Sequence, residues 1–207
     1  MRIDLIQSPD VHSGDRRNVV DILLSAFRDD PLIRGVFPSD LDYVTHFPAL
    51  ATAFAANALA TGTADTDSGG HGAALWFAPG SGPDTAAIRA RLATGLPNRR
   101  VALASDGLEI LGRLRPARPH WYLPWLGVKP EAQGAGLGTA LLAAGLARAD
   151  RDGIPVYAEA TTRRSVALYA RHGFETWARM TLPGCPEVIT LLRPAGGMSA
   201  PPSDPAI

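Results

Sequence analysis

The chain has 207 residues, of which 46% are hydrophobic and 19% charged, and its 20 basic and 20 acidic side chains give a formal net charge of zero. This length fits one domain, and the apolar fraction is enough for a buried core. A neutral chain lacks the basic surface typical of nucleic-acid and membrane-surface proteins, so a phosphate-bearing ligand would have to be held by local geometry.

The single cysteine, Cys185, excludes an intrachain disulfide and a cysteine-rich metal site. The histidines at positions 12, 46, 71 and 172 show no metal-ligand spacing, so we predict no metal. The N-terminus has no long apolar core of a signal peptide, and no run of eighteen apolar residues is present. We therefore expect a cytoplasmic protein with no membrane or nucleic-acid partner.

The first predicted elements are a strand, a helix and a loop. Alternation of polar and apolar residues predicts a strand at 2–7, and an apolar face predicts a helix at 15–29. Asp30 and Pro31 are expected to end that helix. Residues 31–40 are predicted to form a connecting loop.

A second helical region is predicted at 41–60, divided in two near Pro48. The glycine-rich cluster within 62–79 indicates a hairpin of two short strands. Apolar spacing then predicts two helices within 83–115. These two helices would be inserted before the fourth strand.

Aromatic and β-branched residues predict a strand at 120–128, in which Pro124 indicates a bulge or a local loss of pairing. A helix is predicted from near Gly136 to about residue 150, followed by a short strand at 154–160. The strand–helix–strand unit must be a parallel, right-handed crossover.

The remaining elements are a helix that begins at Arg163 and ends at Gly173, and two strands at 174–180 and 187–193. We predict a single domain over residues 1–193 and a disordered tail over 194–207. The fold class is α/β or α+β with a mostly antiparallel sheet, because hairpins outnumber crossovers.

A glycine-rich loop follows the strand at 120–128. The stretch "VKPEAQGAGLGTALL" occupies residues 128–142 and places three glycines immediately before an apolar helix. The first turn of a helix has unpartnered amides and favours anions, and glycines let the backbone approach a phosphate closely. The loop lacks the lysine of a P-loop, and Thr139 stands where a dinucleotide fingerprint needs glycine. The sequence therefore predicts a phosphate or pyrophosphate cradle.

These residues resemble the GNAT superfamily of acyl-CoA-dependent acyltransferases. The resemblance is carried by the loop at 128–142, by "WLGV" at 125–128 and by "ALYARHGFE" at 167–175, and it covers most of residues 1–193. Stretches at 26–38, 74–79 and 121–138 are similar to the branch that contains puromycin N-acetyltransferase. The resemblance implies a GNAT-like mixed sheet with a splayed parallel strand pair and flanking helices.

The resemblance also implies acetyl-CoA as cosubstrate and the backbone groups that would hold it. The pantetheine arm would pair with Leu126, Gly127 and Val128, in the gap between the two parallel strands. The diphosphate would meet the amides of the loop. These predicted positions are Gln133, Gly134, Ala135, Gly136, Leu137, Gly138 and Thr139.

Tyr169 stands where the family usually places a tyrosine that protonates the leaving thiolate, and its ordinary pKa of about 10 exceeds the roughly 8.5 of a thiol. Glu159, on the second parallel strand, is the candidate base, although a structural hydrogen-bonding role is an equal alternative. His120 and Tyr122 are the other candidates for the base.

One position departs from the family pattern. Many relatives carry a cofactor-contacting asparagine four residues before the tyrosine, and here the position is Ser165. Serine keeps a hydroxyl group but has a shorter reach. Arg163 and Arg164 begin the same helix, where they could reach the 3′-phosphate of coenzyme A.

The leading functional hypothesis is an N-acetyltransferase acting on a small-molecule amine, such as an antibiotic or another natural product. The aromatic residues at 121, 122 and 125 and the helices at 83–115 favour a walled pocket over an open peptide groove. Two alternatives stay open: an acetyltransferase for protein N-termini or lysines, and a non-catalytic module that senses coenzyme A. The sequence leaves both a monomer and a homodimer open.

Overall fold

The computed structural model describes residues 5–7, 13–94, 96–181 and 185–197. Seven strands lie within these residues. In chain order they are β1 (Leu5–Gln7), β2 (Ala64–Asp67), β3 (Gly72–Phe77), β4 (Trp121–Val128), β5 (Val156–Ala160), β6 (Glu175–Thr181) and β7 (Glu187–Arg193).

Seven α-helices flank the strands in the same described residues. They are α1 (Ser13–Ala26), α2 (Pro31–Val36), α3 (Asp40–Ala60), α4 (Thr85–Ala93), α5 (Asn98–Leu114), α6 (Leu137–Asp152) and α7 (Arg163–Ala170). The predicted helical insertion before the fourth strand is confirmed as α4 and α5. Within the described parts of the chain, no helix is long and apolar enough to cross a membrane.

The strands form one mixed sheet in the order β1-β2-β3-β4-β5-β7-β6. Only the β4–β5 pair is parallel, as predicted; the other neighbouring pairs are antiparallel. Every residue of β3 is buried, because helices cover both faces of the sheet. Leu75 and Phe77 join a core with α1, α3 and α4, whereas Ala74 and Trp76 join a second core with α6.

The parallel pair β4–β5 is open along part of its length. Trp121 to Leu123 pair with Val156 to Ala158, and no pairing continues past Leu123. The β3–β4 register shifts at the same level, where Leu75 faces Trp125 but Phe77 faces Tyr122. The extra residue lies in β4 beside Pro124, which has no amide hydrogen to donate. The predicted bulge and splayed pair are therefore confirmed.

Two predictions for the first half of the chain were wrong. Residues 31–36 form the helix α2 instead of a loop, because the Asp30 carboxylate accepts hydrogen bonds from the amides of Leu32 and Ile33, and Pro31 occupies the first helical position. Pro48 lies inside α3 without dividing it. The buried face around Phe47 keeps α3 continuous against the core, which outweighs the loss of one helical hydrogen bond.

The structure describes only part of the predicted C-terminal region. Helix α7 ends at Ala170, three residues before Gly173, and Gly173 has the predicted left-handed conformation with a φ of 82°. After β7 the chain forms a short 3₁₀ turn at Ala195–Gly197. Residues 198–207, most of the predicted tail, lie outside the described residues.

Two contacts fix α6 against the sheet and so hold its first turn in place. The Arg148 guanidinium makes a bidentate ion pair with the buried Asp65 of β2, at 2.6 and 2.9 Å. One turn earlier, Gly145 faces the indole of Trp76 so closely that a Cβ atom at this position would lie 2.0 Å from the ring. Helix α6 can approach the sheet only because residue 145 has no side chain.

We therefore expect Gly145→Ala to destabilise the fold by about 1–3 kcal/mol, because overpacking forces the indole or the helix to move. Urea unfolding followed by circular dichroism measures the change. The matched control is Gly112→Ala in α5, where no atom lies within 4 Å of the added Cβ. That variant should gain about 0.5–1 kcal/mol from helix propensity; equal losses in both variants would contradict the packing argument.

Candidate active site

The glycine loop ends at the first turn of α6 in a conformation that leaves amides open. Gly134 and Gly136 have φ values of 85° and 87°, in the left-handed region that favours glycine. Gly136 is the N-cap residue, and no side chain caps this helix end. The first backbone bond of α6 runs from the Ala140 amide to the Gly136 carbonyl, so the preceding amides have no helical partner. This arrangement suits an anion at the positive end of the helix dipole.

The Gln133 side chain holds the start of the loop in place. Its Nε2 donates to the Val128 carbonyl at 3.0 Å, and its Oε1 accepts from Arg164 of α7 at 2.6 Å. One side chain therefore connects the end of β4, the loop and α7. The side chain of Gln133 therefore has a structural role, in addition to the binding role predicted for its backbone amide.

A groove of about 740 Å³ runs from this loop along the open edge of β4 to the α1–α2 connection. Most of the predicted cofactor-binding residues line it. They are Leu126, Gly127, Val128, Gln133, Gly134, Gly136, Leu137, Gly138, Thr139 and Ser165, and the groove is also lined by the predicted acid Tyr169. Ala135 is exposed and does not line the groove, so a role for its amide stays a prediction.

Tyr169 is buried on α7 with its ring packed against Phe174, at a centroid distance of 5.2 Å. Burial raises the pKa of Tyr169 well above its ordinary value, and the negative charge of Glu159 raises it further. The hydroxyl is therefore protonated at neutral pH, as a proton donor must be.

Glu159 lies on β5 and projects to the opposite face of the sheet from Ala158 and Ala160. Its Oε1 accepts a hydrogen bond from the Tyr122 hydroxyl at 2.9 Å. Burial raises the pKa of Glu159 above its ordinary value, while the Arg115 charge and the Tyr122 hydrogen bond act in the opposite direction. A carboxylate whose pKa is raised towards neutrality suits a general base.

Arg115 is a site residue that sequence reasoning missed. It follows the last residue of α5, and its guanidinium carbon lies 3.8 Å from the centroid of the Tyr122 ring. No local pattern distinguishes it from the other arginines near it in the sequence, because only the packing of α5 brings it to β4.

Glu159 lines a second cavity, of about 90 Å³, on the face of the sheet that α3, α4 and α5 cover. Tyr122 and Trp125 of β4 belong to its wall, as the predicted walled pocket requires. Trp121, which was also expected there, faces the other side and donates its indole N–H to Asp152 at 2.8 Å. Two of the three aromatic residues named in the sequence analysis therefore line the cavity.

Asp30 is a further residue that sequence reasoning missed. Besides capping α2, it lines the groove and accepts a hydrogen bond from the Thr161 hydroxyl just after β5. Burial raises its pKa, against three hydrogen bonds that lower it. The signal in the sequence was Asp followed by Pro, which is typical of a helix start as well as of a helix end.

The remaining candidate residues differ in whether they line the groove or the cavity. His120 lines neither opening, and its Nδ1 lies 2.9 Å from the Arg118 carbonyl. The Ser165 hydroxyl lies 2.8 Å from that of Thr162, the residue that caps α7. Arg164 lines the groove but Arg163 does not. Among the residues whose positions are described, which do not include His12, no group of three or more His, Cys, Asp or Glu is placed to hold a metal ion.

Residues 97–176 match the family model described as "Acetyltransferase (GNAT) domain". A segment of 57 residues is 47% identical to the mycothiol acetyltransferase of Salinispora arenicola (strain CNS-205). This match covers 26% of the chain but only 19% of that relative, so the chain spans about a fifth of the relative's length.

Solved structures resemble the whole fold. One of them is the crystal structure of histone acetyltransferase HPA2 and related acetyltransferase from Corynebacterium glutamicum ATCC 13032. It has a TM-score of 0.67 and 26% sequence identity, and the match covers 100% of both chains. Arylalkylamine N-acetyltransferase 2 from Aedes aegypti also has a TM-score of 0.67, over 94% of this chain and 99% of its own. At 14% identity, the second likeness concerns the fold alone.

The matched segment and the fold thus resemble those of GNAT acetyltransferase domains, which use acetyl-CoA as cosubstrate. The predicted GNAT-like fold is thereby confirmed, and the matched segment agrees with the predicted acyl-CoA-dependent acyltransferase class.

Proposed function

We propose that this chain transfers an acetyl group from acetyl-CoA to the amine of a small molecule by direct attack on the thioester. The observation that carries the proposal is that two openings lie on opposite sides of β4, beyond the point where its pairing with β5 ends. Consecutive residues of β4, Trp125 and Leu126, line the apolar cavity and the groove, respectively. Glu159 lies on the cavity side and Tyr169 on the groove side.

The groove offers the donor set that a coenzyme A thioester requires. The unpartnered amides at the start of α6 suit the diphosphate. Past Leu123, β4 has no pairing with β5, so its backbone groups from Leu126 to Val128 are available to the amide groups of the pantetheine arm. Both sets of contacts use main-chain atoms. Arg164, which lines the groove, supplies positive charge near the loop.

The chemistry then follows from the two side chains. Free alkyl amines titrate around pH 10, so a base must remove a proton before the nitrogen has a lone pair. Glu159 takes that proton, the nitrogen bonds to the carbonyl carbon, and a strand amide near Leu126 stabilises the negative charge that develops on the oxygen. The carbon–sulfur bond then breaks as the carbonyl re-forms, and Tyr169 gives its proton to the leaving thiolate. The nitrogen loses its second proton through water, which restores the Tyr169 hydroxyl and leaves the neutral amide.

The small-molecule acceptor is the finer part of the proposal. Its support is the enclosed cavity beside Glu159, since a protein substrate would need an open surface groove. The names of two similar proteins reported above, mycothiol acetyltransferase and arylalkylamine N-acetyltransferase, refer to small-molecule substrates. The likeness to the puromycin N-acetyltransferase branch is kept as part of this proposal, because two of its three stretches, 26–38 and 121–138, contribute residues to the walls of the two openings.

The decisive experiment measures the release of free thiol from acetyl-CoA by the purified chain with a panel of amines. Thiol release that depends on an amine, with the acetylated amine identified by mass spectrometry, supports the proposal. Acetylation of peptides but not of free amines would favour the protein acetyltransferase. Tight acetyl-CoA binding with no turnover on either panel would favour the sensor module.

The base assignment makes a separate prediction about pH. Protonated Glu159 cannot accept a proton, so kcat/KM should fall as the pH is lowered through the raised pKa of Glu159. The Arg115 charge lowers that pKa. Arg115→Gln should therefore move the acidic limb of the profile to higher pH, and Glu159→Gln should lower kcat/KM by roughly 10²–10⁴-fold.

The control for the loss of charge is Arg113→Gln. Arg113 is an exposed arginine in the last turn of α5, and it pairs with Glu109. Its pH profile should match that of the original protein. Equal displacement in both variants, or none in Arg115→Gln, would show that the acidic limb does not belong to Glu159.

A further inference from the structure

Among the described residues that line it, the apolar cavity has one charged side chain in an otherwise uncharged wall. Aliphatic and aromatic residues from α2, α3, α4, α5, β4 and β6 form most of the lining. The exceptions are the Tyr122 hydroxyl, the Cys185 thiol and the Glu159 carboxylate. Burial raises the pKa of Cys185, so that its thiol stays neutral. Glu159 is thus the one lining group that can attract a cation.

The carboxylate keeps hydrogen-bonding capacity towards the cavity. Oε1 accepts from Tyr122, and Oε2 accepts no hydrogen bond from any residue that the structure describes. Arg115 contacts the Tyr122 ring and forms no ion pair with Glu159 among the described residues. An ammonium group can therefore pair with Glu159 without displacing a protein partner, and it gains from the low dielectric of the site.

From this wall we infer that the acceptor is a primary amine with a single small apolar body, a short alkylamine that bears no second charge. The inference rests on the proposed function and names its substrate class. An aliphatic body would replace water against Leu103, Leu108 and Trp125. A polyamine or a sugar amine would bury a second ammonium or several hydroxyls without partners, at a large energetic cost.

The size of the cavity also sets a length. An apolar cavity of about 150 Å³ holds one benzene ring, so about 90 Å³ accommodates roughly three to four carbon atoms. A straight alkylamine should fill the cavity at about that number of carbon atoms.

The test is a series of straight alkylamines from methylamine to octylamine, assayed with acetyl-CoA by thiol release. Each added methylene should raise kcat/KM by roughly fourfold, which corresponds to the burial of one CH₂ group. The rise should stop at roughly three to four carbon atoms, where the cavity of about 90 Å³ is full. Spermidine and glucosamine, the polyamine and sugar-amine probes, should be poorer than propylamine by at least about 10-fold.

Two variants of α5 should move the length limit in opposite directions. Ala104→Leu fills part of the cavity and should lower the limit by about two carbon atoms, whereas Leu108→Ala should raise it. Ile110→Ala is the matched control, because Ile110 lies on the same helix and is partly buried but does not line the cavity. Its chain-length profile should keep the original limit.

The outcomes separate this inference from the proposed function. Efficient acetylation of spermidine or glucosamine, with no gain along the alkylamine series, would overturn the apolar-amine inference and leave an acetyltransferase in place. A length limit that moves equally in Ala104→Leu and Ile110→Ala would also overturn it. Absence of turnover with every amine, although acetyl-CoA binds, would overturn the proposed function itself.

Discussion

Gly136→Val should weaken acetyl-CoA binding by roughly 10–100-fold while leaving the chain folded. The position has a φ of 87°, where a β-branched residue is strained by about 1–3 kcal/mol. The loop can relieve this strain only by turning amides away from the groove. No atom lies within 4 Å of the added Cβ, so the core has no reason to unfold. Calorimetric titration with acetyl-CoA measures the affinity.

Gly138→Ala is the matched control within the same loop. Gly138 does not have a positive φ, and its added Cβ would make ordinary contacts of 3.7 Å with Leu168 and Val128. Its affinity for acetyl-CoA should stay within about threefold of the original, since the Cβ faces protein atoms and adds no backbone strain. Unchanged binding by Gly136→Val would mean that the diphosphate binds elsewhere. Equal losses in the two variants would mean that steric bulk, not backbone conformation, controls the loop.

Tyr169→Phe should lower kcat by roughly 10²–10³-fold with little change in acetyl-CoA affinity. The ring keeps its packing against Phe174, and the variant removes only the hydroxyl that we assign to the leaving sulfur. A general acid contributes about this much to a rate. Steady-state kinetics with the best amine of the panel gives kcat, and calorimetry gives the affinity.

The control is Tyr43→Phe, which removes another buried hydroxyl from a residue that does not line the groove. Tyr43 donates to the Leu24 carbonyl at 2.7 Å, so its loss should cost about 1 kcal/mol of stability and leave kcat unchanged. Normal turnover by Tyr169→Phe would leave water as the proton donor and refute the assignment.

The sequence predicted the backbone of the glycine loop and of β4 well, because both depend on local residue types. Glycines with positive φ, an uncapped helix start and a proline-induced bulge can all be predicted from the residue type at one sequence position. Gly134, Gly136 and Pro124 are examples, since each residue type restricts its own backbone. Ala135 shows the limit, because a side chain between two glycines says little about which surface it faces.

The acceptor side was harder to predict because it depends on contacts between distant elements. Arg115 acquires its role only when α5 packs beside β4, and Asp30 only when the α1–α2 connection meets the residue after β5. The six-residue helix α2 has too little apolar periodicity to be recognised. Pro48 was misjudged for the same reason: burial along α3 outweighs a local preference.

The place of β7 in the sheet has a consequence for how the protein matures. β7 lies between β5 and β6 and is synthesised after both, so the edge of the strand that bears Glu159 is unpaired on the nascent chain until residues 187–193 leave the ribosome. Pairing between segments far apart in the chain is slow, and an unprotected strand edge invites association with other chains. The sheet around Glu159 is thus completed last, and chaperones would act during that interval.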